Sequence, residues 1–146
     1  MSILREKGEL KFVGTVAKGG NDTSHITILP EYHEALDGLN DFSHIIVLYW
    51  LHKNNNEEQR RILKVTPKRH KDAPEVGVFA CRSPVRPNPI GFSVCKLMGI
   101  SGRTLTVREL DALDETPIID IKPYLPRADC VPDARSPRWT LKGPKT

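Results

Sequence analysis

The chain has 146 residues, of which 38% are hydrophobic and 27% charged, with a formal net charge of +4. That balance fits a single soluble domain with a real core rather than a disordered chain. No run approaches the roughly 18 apolar residues of a membrane helix, and the charged stretch 1–10 lacks a signal-peptide core; a cytoplasmic location, away from membranes, is expected.

In chain order, Glu9 to Val16 alternates loosely and predicts a first strand, and 18–24 is a Gly/Asn/Asp/Ser turn. His25 to Leu29 predicts a second strand, and Pro30 to Leu39 a polar segment with at most a helical turn. Ile45 to Leu51, IIVLYWL, is continuous, β-branched and aromatic, which favours a central strand. Asn56 followed by Glu57 and Glu58 could cap a short helix; the alternative is a loop leading to a strand at Ile62 to Val65. The polar stretch from Pro67 to Pro74 predicts a mobile loop, and Val76 to Ala80 another strand. Further strands are expected at 90–100 and 104–110, with a short extended piece at 118–121 and a proline-rich irregular tail beyond Pro123. Many short strands separated by turns predict an all-β sheet or barrel. One domain over 1–146 is expected, with no repeat and no separate C-terminal domain.

The stretch GVFACRSPVRPNPIG, from Gly77 to Gly91, concentrates the chemistry. Pro84, Pro87 and Pro89 fix φ, remove backbone donors and push Ser83, Arg86 and Asn88 toward extended geometry. Arg82 and Arg86 therefore sit on a stiff loop, as groups that grip a ligand benefit from doing. Each could hold a carboxylate or phosphate by paired hydrogen bonds, or brace the loop by bonding its carbonyls. Gly91 could let the backbone approach a ligand closely or mark a bulge.

Several chemistries are excluded. There is no GxGxxG, no GxxxxGK[ST], no GxSxG and no HExxH. Cys81, Cys95 and Cys130 lie far apart without zinc spacing, so reduced thiols and no metal are expected. His52 lies just past the end of the IIVLYWL strand, where ligand contacts gather, though a lone histidine is more often a satisfied polar residue. Asp111, Asp114, Glu115 and Asp120 crowd carboxylates into one span; a carboxylate there could accept a proton or hold an amine, but turn chemistry beside proline is the favoured reading of these residues taken alone. Lys68, Arg69 and Lys71 could meet phosphates or form a solvated loop.

Four blocks in order, GLNDFSHIIVLYWLH, GVFACRSPVRPNPIG, LDALDETP and DIKPYLP, resemble the TsaA/TrmO-like family of S-adenosylmethionine-dependent tRNA adenine-N6 methyltransferases. The resemblance implies a mainly β fold, a compact single barrel with short helical segments rather than a Rossmann sheet. It implies S-adenosyl-L-methionine as cofactor, tRNA as partner, a homodimer, and methylation of N6 of threonylcarbamoyl-adenosine 37. It places His52, Lys53, Arg82, Phe92, Leu113, Asp114, Glu115 and Thr116 around the cofactor. Asp114 is the candidate acceptor of the amine proton, with a backbone carbonyl as the alternative. Arg86 and Asn88 would support the loop or meet tRNA, with Lys68, Arg69 and Lys71 adding phosphate contacts. Other acceptors, such as a small molecule, and a non-catalytic cofactor- or RNA-binding role are the competing readings. Cys81 stands where the family usually has threonine, and Glu115 where it usually has glycine.

Overall fold

Alternation decides the architecture. From His44 to Trp50 every second side chain, Ile45, Val47 and Tyr49, is buried, and those between are half-buried. Period-two burial is what a strand with one face on a core requires. A computed structural model describes residues 3–145. It contains strands β1 (Gly14–Lys18), β2 (Thr23–Ile28), β3 (His44–Trp50), β4 (Lys64–Val65), β5 (Val76–Gly77), β6 (Ile90–Ser101), β7 (Thr104–Arg108) and β8 (Pro117–Pro123). Two short helices, α1 (Glu57–Arg60) and α2 (Pro126–Asp129), and several 3-10 turns connect or follow them.

Six strands close into a barrel in the order β1-β2-β7-β6-β3-β8, and β8 pairs back onto β1. Every pairing is antiparallel. Closure leaves no free edge, and Val16, Ile26, Val47, Cys95, Leu105 and Ile118 fill the interior at 2% exposure or less. Each large side chain so buried contributes about 1.5–3 kcal/mol. The mainly β barrel expected from the sequence is the fold observed.

The register sorts the loops between the two ends of the barrel. Lys18 lies opposite Ser24, Thr23 opposite Arg108, Trp50 opposite Ile90, and Thr15 opposite Pro117. The turn at 19–22, the segment from Leu51, the proline loop and residues 109–116 therefore share one end. The 3-10 turns Pro30–Leu36 and Leu39–Asp41 occupy the other.

Several expected elements change. Strand β1 runs from Gly14 to Lys18, not from Glu9 to Val16, and Ser24 belongs to β2 rather than the turn. The apolar run Val76 to Ala80 is a strand only to Gly77, then a 3-10 turn, Val78–Ala80. The reason is that the Val78 and Cys81 carbonyls are turned toward the Arg86 guanidinium instead of a neighbouring strand. The strand held open as an alternative at 62–65 is present only at Lys64–Val65, and the one expected at 104–110 ends at Arg108 because Glu109 takes a φ of 67°. Asn56 does cap α1: its side chain accepts a hydrogen bond from the Gln59 amide at 2.9 Å. The stretch 67–74 is a loop, but one with a buried anchor, His70, at 7% exposure.

Candidate functional site

The proline loop is held by two arginines that collect its carbonyls. Arg86 Nη2 donates to the Val78 carbonyl at 2.7 Å, and Nη1 to those of Cys81 and Ser83, both at 3.2 Å. Arg60, on α1, donates from Nε to the Pro87 carbonyl at 2.7 Å and from Nη2 to Asn88 Oδ1 at 3.3 Å. Its guanidinium also lies over the Trp50 ring, 5.8 Å from the centroid. Ser83 Oγ accepts from the Val85 amide, closing a local turn. Prolines limit the loop's conformations, and the two guanidinium groups fix the one that remains.

Arg82 is different. It is exposed and makes no hydrogen bond or ion pair with any described residue; its contact is the face of Phe92, 5.2 Å from the ring centroid. Phe92, itself 42% exposed, is held in β6 opposite Leu48. The two arginines thus divide the roles that the sequence left open. Arg86 spends its donors on the loop, whereas Arg82 keeps all of its own for something else.

Beneath this loop β6 presses against β3. Gly91 lies opposite Tyr49, where a Cβ would overlap the tyrosine ring; the glycine makes room for a packed side chain of the neighbouring strand, a reason that neither of the two sequence readings gave. Tyr49 is thereby aimed at residues 109–116. Its hydroxyl donates to the Asp111 carbonyl at 2.7 Å and shares a 3.1 Å hydrogen bond with Ser93 Oγ. Burial raises the Tyr49 pKa above 10.0, so the phenol stays a donor through neutral pH.

The 109–116 segment is tied to β1. Lys18 donates from its amide to Asp114 Oδ1 and from Nζ to the Leu110 carbonyl, each at 3.0 Å. The Glu115 amide donates to the Val16 carbonyl at 2.8 Å, and Glu115 takes a φ of 65°. This is the left-handed region where glycine is at ease, which gives the family's usual glycine at this position a conformational reason. Thr116 is buried and its hydroxyl donates to the Leu113 carbonyl at 2.6 Å, so its side chain shapes the turn. Leu113 is 60% exposed.

Of the other expected site residues, His52 and Lys53 begin a 3-10 turn at the same end of the barrel, His52 half-buried and Lys53 exposed. Arg86 and Asn88 both serve the loop's own structure. Lys68 and Lys71 are exposed and make no ion pair with any described residue, while Arg69 is paired with Asp111 at 2.7 Å. That hydrogen bond with the carboxylate raises the Arg69 pKa. Arg60, Lys18 and Tyr49 did not stand out from the sequence; only their distant partners mark them. A separate cleft of about 400 Å3, lined by Tyr32, Leu36, Phe42 and Asp120 among others, lies at the opposite end of the barrel; Asp120 is thereby set apart from Asp111, Asp114 and Glu115, and none of the residues expected around the cofactor lines this cleft. Among the described residues no cluster of His, Cys, Asp or Glu could hold a metal.

Fold and site define a closed antiparallel barrel whose rim carries a braced, proline-stiffened loop with one uncommitted arginine beside exposed apolar side chains. Residues 14–130 match the N-terminal domain of tRNA-methyltransferase O. The chain belongs to the tRNA-methyltransferase O family. A probable S-adenosyl-L-methionine-binding protein of Methanocaldococcus jannaschii is 47% identical over 121 residues, covering 83% of this chain and 95% of that protein. An S-adenosyl-L-methionine-binding protein of Archaeoglobus fulgidus is 45% identical, over 74% of this chain and 73% of its own length. The crystal structure of TrmO from Pseudomonas aeruginosa superposes with a TM-score of 0.74 at 29% identity, over 95% of this chain and 66% of that one. A second TrmO crystal structure, 33% identical with a TM-score of 0.71, is covered over 64% of its length. The chain therefore spans slightly less than two thirds of the solved TrmO chains. The ligand in the names of the first two relatives agrees with the cofactor implied by the sequence resemblance.

Proposed function

We propose that the chain is an S-adenosyl-L-methionine-dependent methyltransferase that modifies N6 of threonylcarbamoyl-adenosine 37 in tRNA. The observation that carries this reading is the unspent guanidinium of Arg82, stacked on Phe92 and held in place by a loop that Arg86 and Arg60 brace. Family membership and the relatives' names support it.

The residues present fit the cofactor by their donor set. Arg82 offers paired donors to a carboxylate, Phe92 and Leu113 offer exposed apolar surface to an adenine, and residues 113–116 and His52-Lys53 stand at the same barrel end. When bound, the cofactor supplies an electrophilic methyl carbon on a sulfonium. The protein's task is then to orient the acceptor amine in line with that carbon and to exclude water. N6 of threonylcarbamoyl-adenosine is weakly nucleophilic because its lone pair is delocalised into the ring and the carbamoyl carbonyl, and in the transfer an N–C bond forms, an S–C bond breaks and N6 loses its one proton. Asp114 is the candidate acceptor of that proton. One of its oxygens already accepts the Lys18 amide, which would aim the carboxylate and leave the other oxygen for the substrate.

The exposed Lys68 and Lys71 would add phosphate contacts. A homodimer fits the half-buried outward side chains Ile46 and Leu48 beside exposed Phe92, and a tRNA substrate would place the protein in the cytoplasm. Incubation with methyl-labelled cofactor and unfractionated tRNA tests the proposal: label in tRNA supports it. Label that appears only in a small-molecule acceptor, or binding without turnover across all tRNAs, refutes it.

A further inference from the structure

The tail beyond β8 is not merely irregular. Residues Arg138–Leu141 form a 3-10 turn that sets Trp139 edge-on against His70, with ring centroids 5.4 Å apart and planes at 70°. His70 is nearly buried, and its Nδ1–H donates to the Lys142 carbonyl at 2.7 Å. Gly143, at a φ of 92°, lies so close to the Arg69 carbonyl that a side chain there would collide with it. The segment 138–143 thus closes over the loop at 69–70 from one side. On the other, Arg69 Nη1 meets Asp111 Oδ2 at 2.7 Å. Asp111 in turn is gripped through its backbone, its carbonyl by the Tyr49 hydroxyl and its amide by Ser93 Oγ. A continuous set of packed and hydrogen-bonded groups therefore joins the tail to the first residues of the 110–116 segment.

We infer that residues 138–143 act as a strap that positions the 110–116 wall of the proposed S-adenosyl-L-methionine site, through Trp139, His70, Arg69 and Asp111. The inference rests on the cofactor-site assignment proposed above. These four are positioning residues: the tail sets the loop, the loop sets the Arg69 guanidinium, and that cation fixes the Asp111 carboxylate beside the Tyr49–Ser93 pair. Ion pairs as exposed as Arg69–Asp111 add little to stability, which makes an ordering role the more reasonable use of the bond. It also gives Arg69 an intramolecular job in place of the phosphate contact expected from the sequence.

The test is calorimetric titration of S-adenosyl-L-methionine into the full chain carrying Trp139→Ala, Arg69→Ala, or both, with Arg82→Ala alongside. Each strap variant is expected to weaken binding by about three- to ten-fold, and the double variant no more than the weaker-binding single variant, because both act on one chain of contacts. Trp139→Phe should restore most of the affinity, as should Arg69→Asp combined with Asp111→Arg; a general loss of packing would not be rescued by the exchanged charges. If Trp139→Ala fails to fold, the exposed Arg69→Ala and the charge exchange decide the matter. Wild-type affinity in the strap variants, with loss in Arg82→Ala, overturns the strap and leaves the site assignment standing. Effects that simply multiply in the double variant also overturn it. Wild-type affinity in Arg82→Ala overturns the site assignment itself.

Discussion

Replacing Arg86 with alanine removes three hydrogen bonds from one charged group and leaves the carbonyls of Val78, Cys81 and Ser83 without their donor. Bonds to a charged donor contribute about 1.5–3 kcal/mol each, but they cannot simply be added here. One nitrogen is shared between Cys81 and Ser83, and the side chain is only half-buried, so water can replace part of the loss. About 2–4 kcal/mol is the reasonable cost, or a fall in Tm of roughly 6–15 °C for a chain of this size. Arg82→Ala should behave in the opposite way. It removes an exposed contact with the Phe92 ring worth about 0.5–1 kcal/mol, shifting Tm by a few degrees, yet it should weaken S-adenosyl-L-methionine binding at least ten-fold. Thermal melts and calorimetric titrations of both variants make the comparison. If Arg86→Ala melted with the wild type, or if Arg82→Ala kept full affinity, the division of labour between the two arginines would be wrong.

Other outcomes follow from the same contacts. Glu115→Gly should raise stability by about 1 kcal/mol, read as a higher urea midpoint at unchanged slope, since it relieves a left-handed φ of 65°. Gly91→Ala should cost about 3 kcal/mol by forcing the nearly buried Tyr49 ring out of its place; a wild-type midpoint would contradict the close approach. In the alkaline range, burial pushes the Cys95 thiol from 9.0 up to about 12 and raises Tyr49 as well. Above about pH 9 the unfolded chain therefore loses protons that the folded chain keeps, and stability falls as pH rises toward 12. Urea midpoints across that window should decline less steeply in Cys95→Ala than in the wild type, even though the variant starts lower.

The sequence made the barrel legible where period-two burial coincides with β-branched residues, as in Ile45, Val47 and their neighbours. It misled at Val76 to Ala80, because an apolar run does not reveal that Arg86, eight residues beyond Val78, claims the Val78 carbonyl. The proline loop could be recognised as stiff, but the group that fixes its far end could not: Arg60 reaches it across 27 residues of chain to Pro87. Likewise the charge run at 68–71 reads as a uniform basic patch, whereas the fold buries His70 and pairs Arg69. Side chains whose meaning lies in a distant partner carry no local signal; those that alternate, cap or constrain the backbone do.

The proposed activity is tested most directly by mass spectrometry of tRNA nucleosides from cells with and without the gene for this chain. The N6-methylated form of threonylcarbamoyl-adenosine should disappear in its absence and return when the wild-type chain, but not Arg82→Ala, is restored. An unchanged nucleoside profile would contradict that activity.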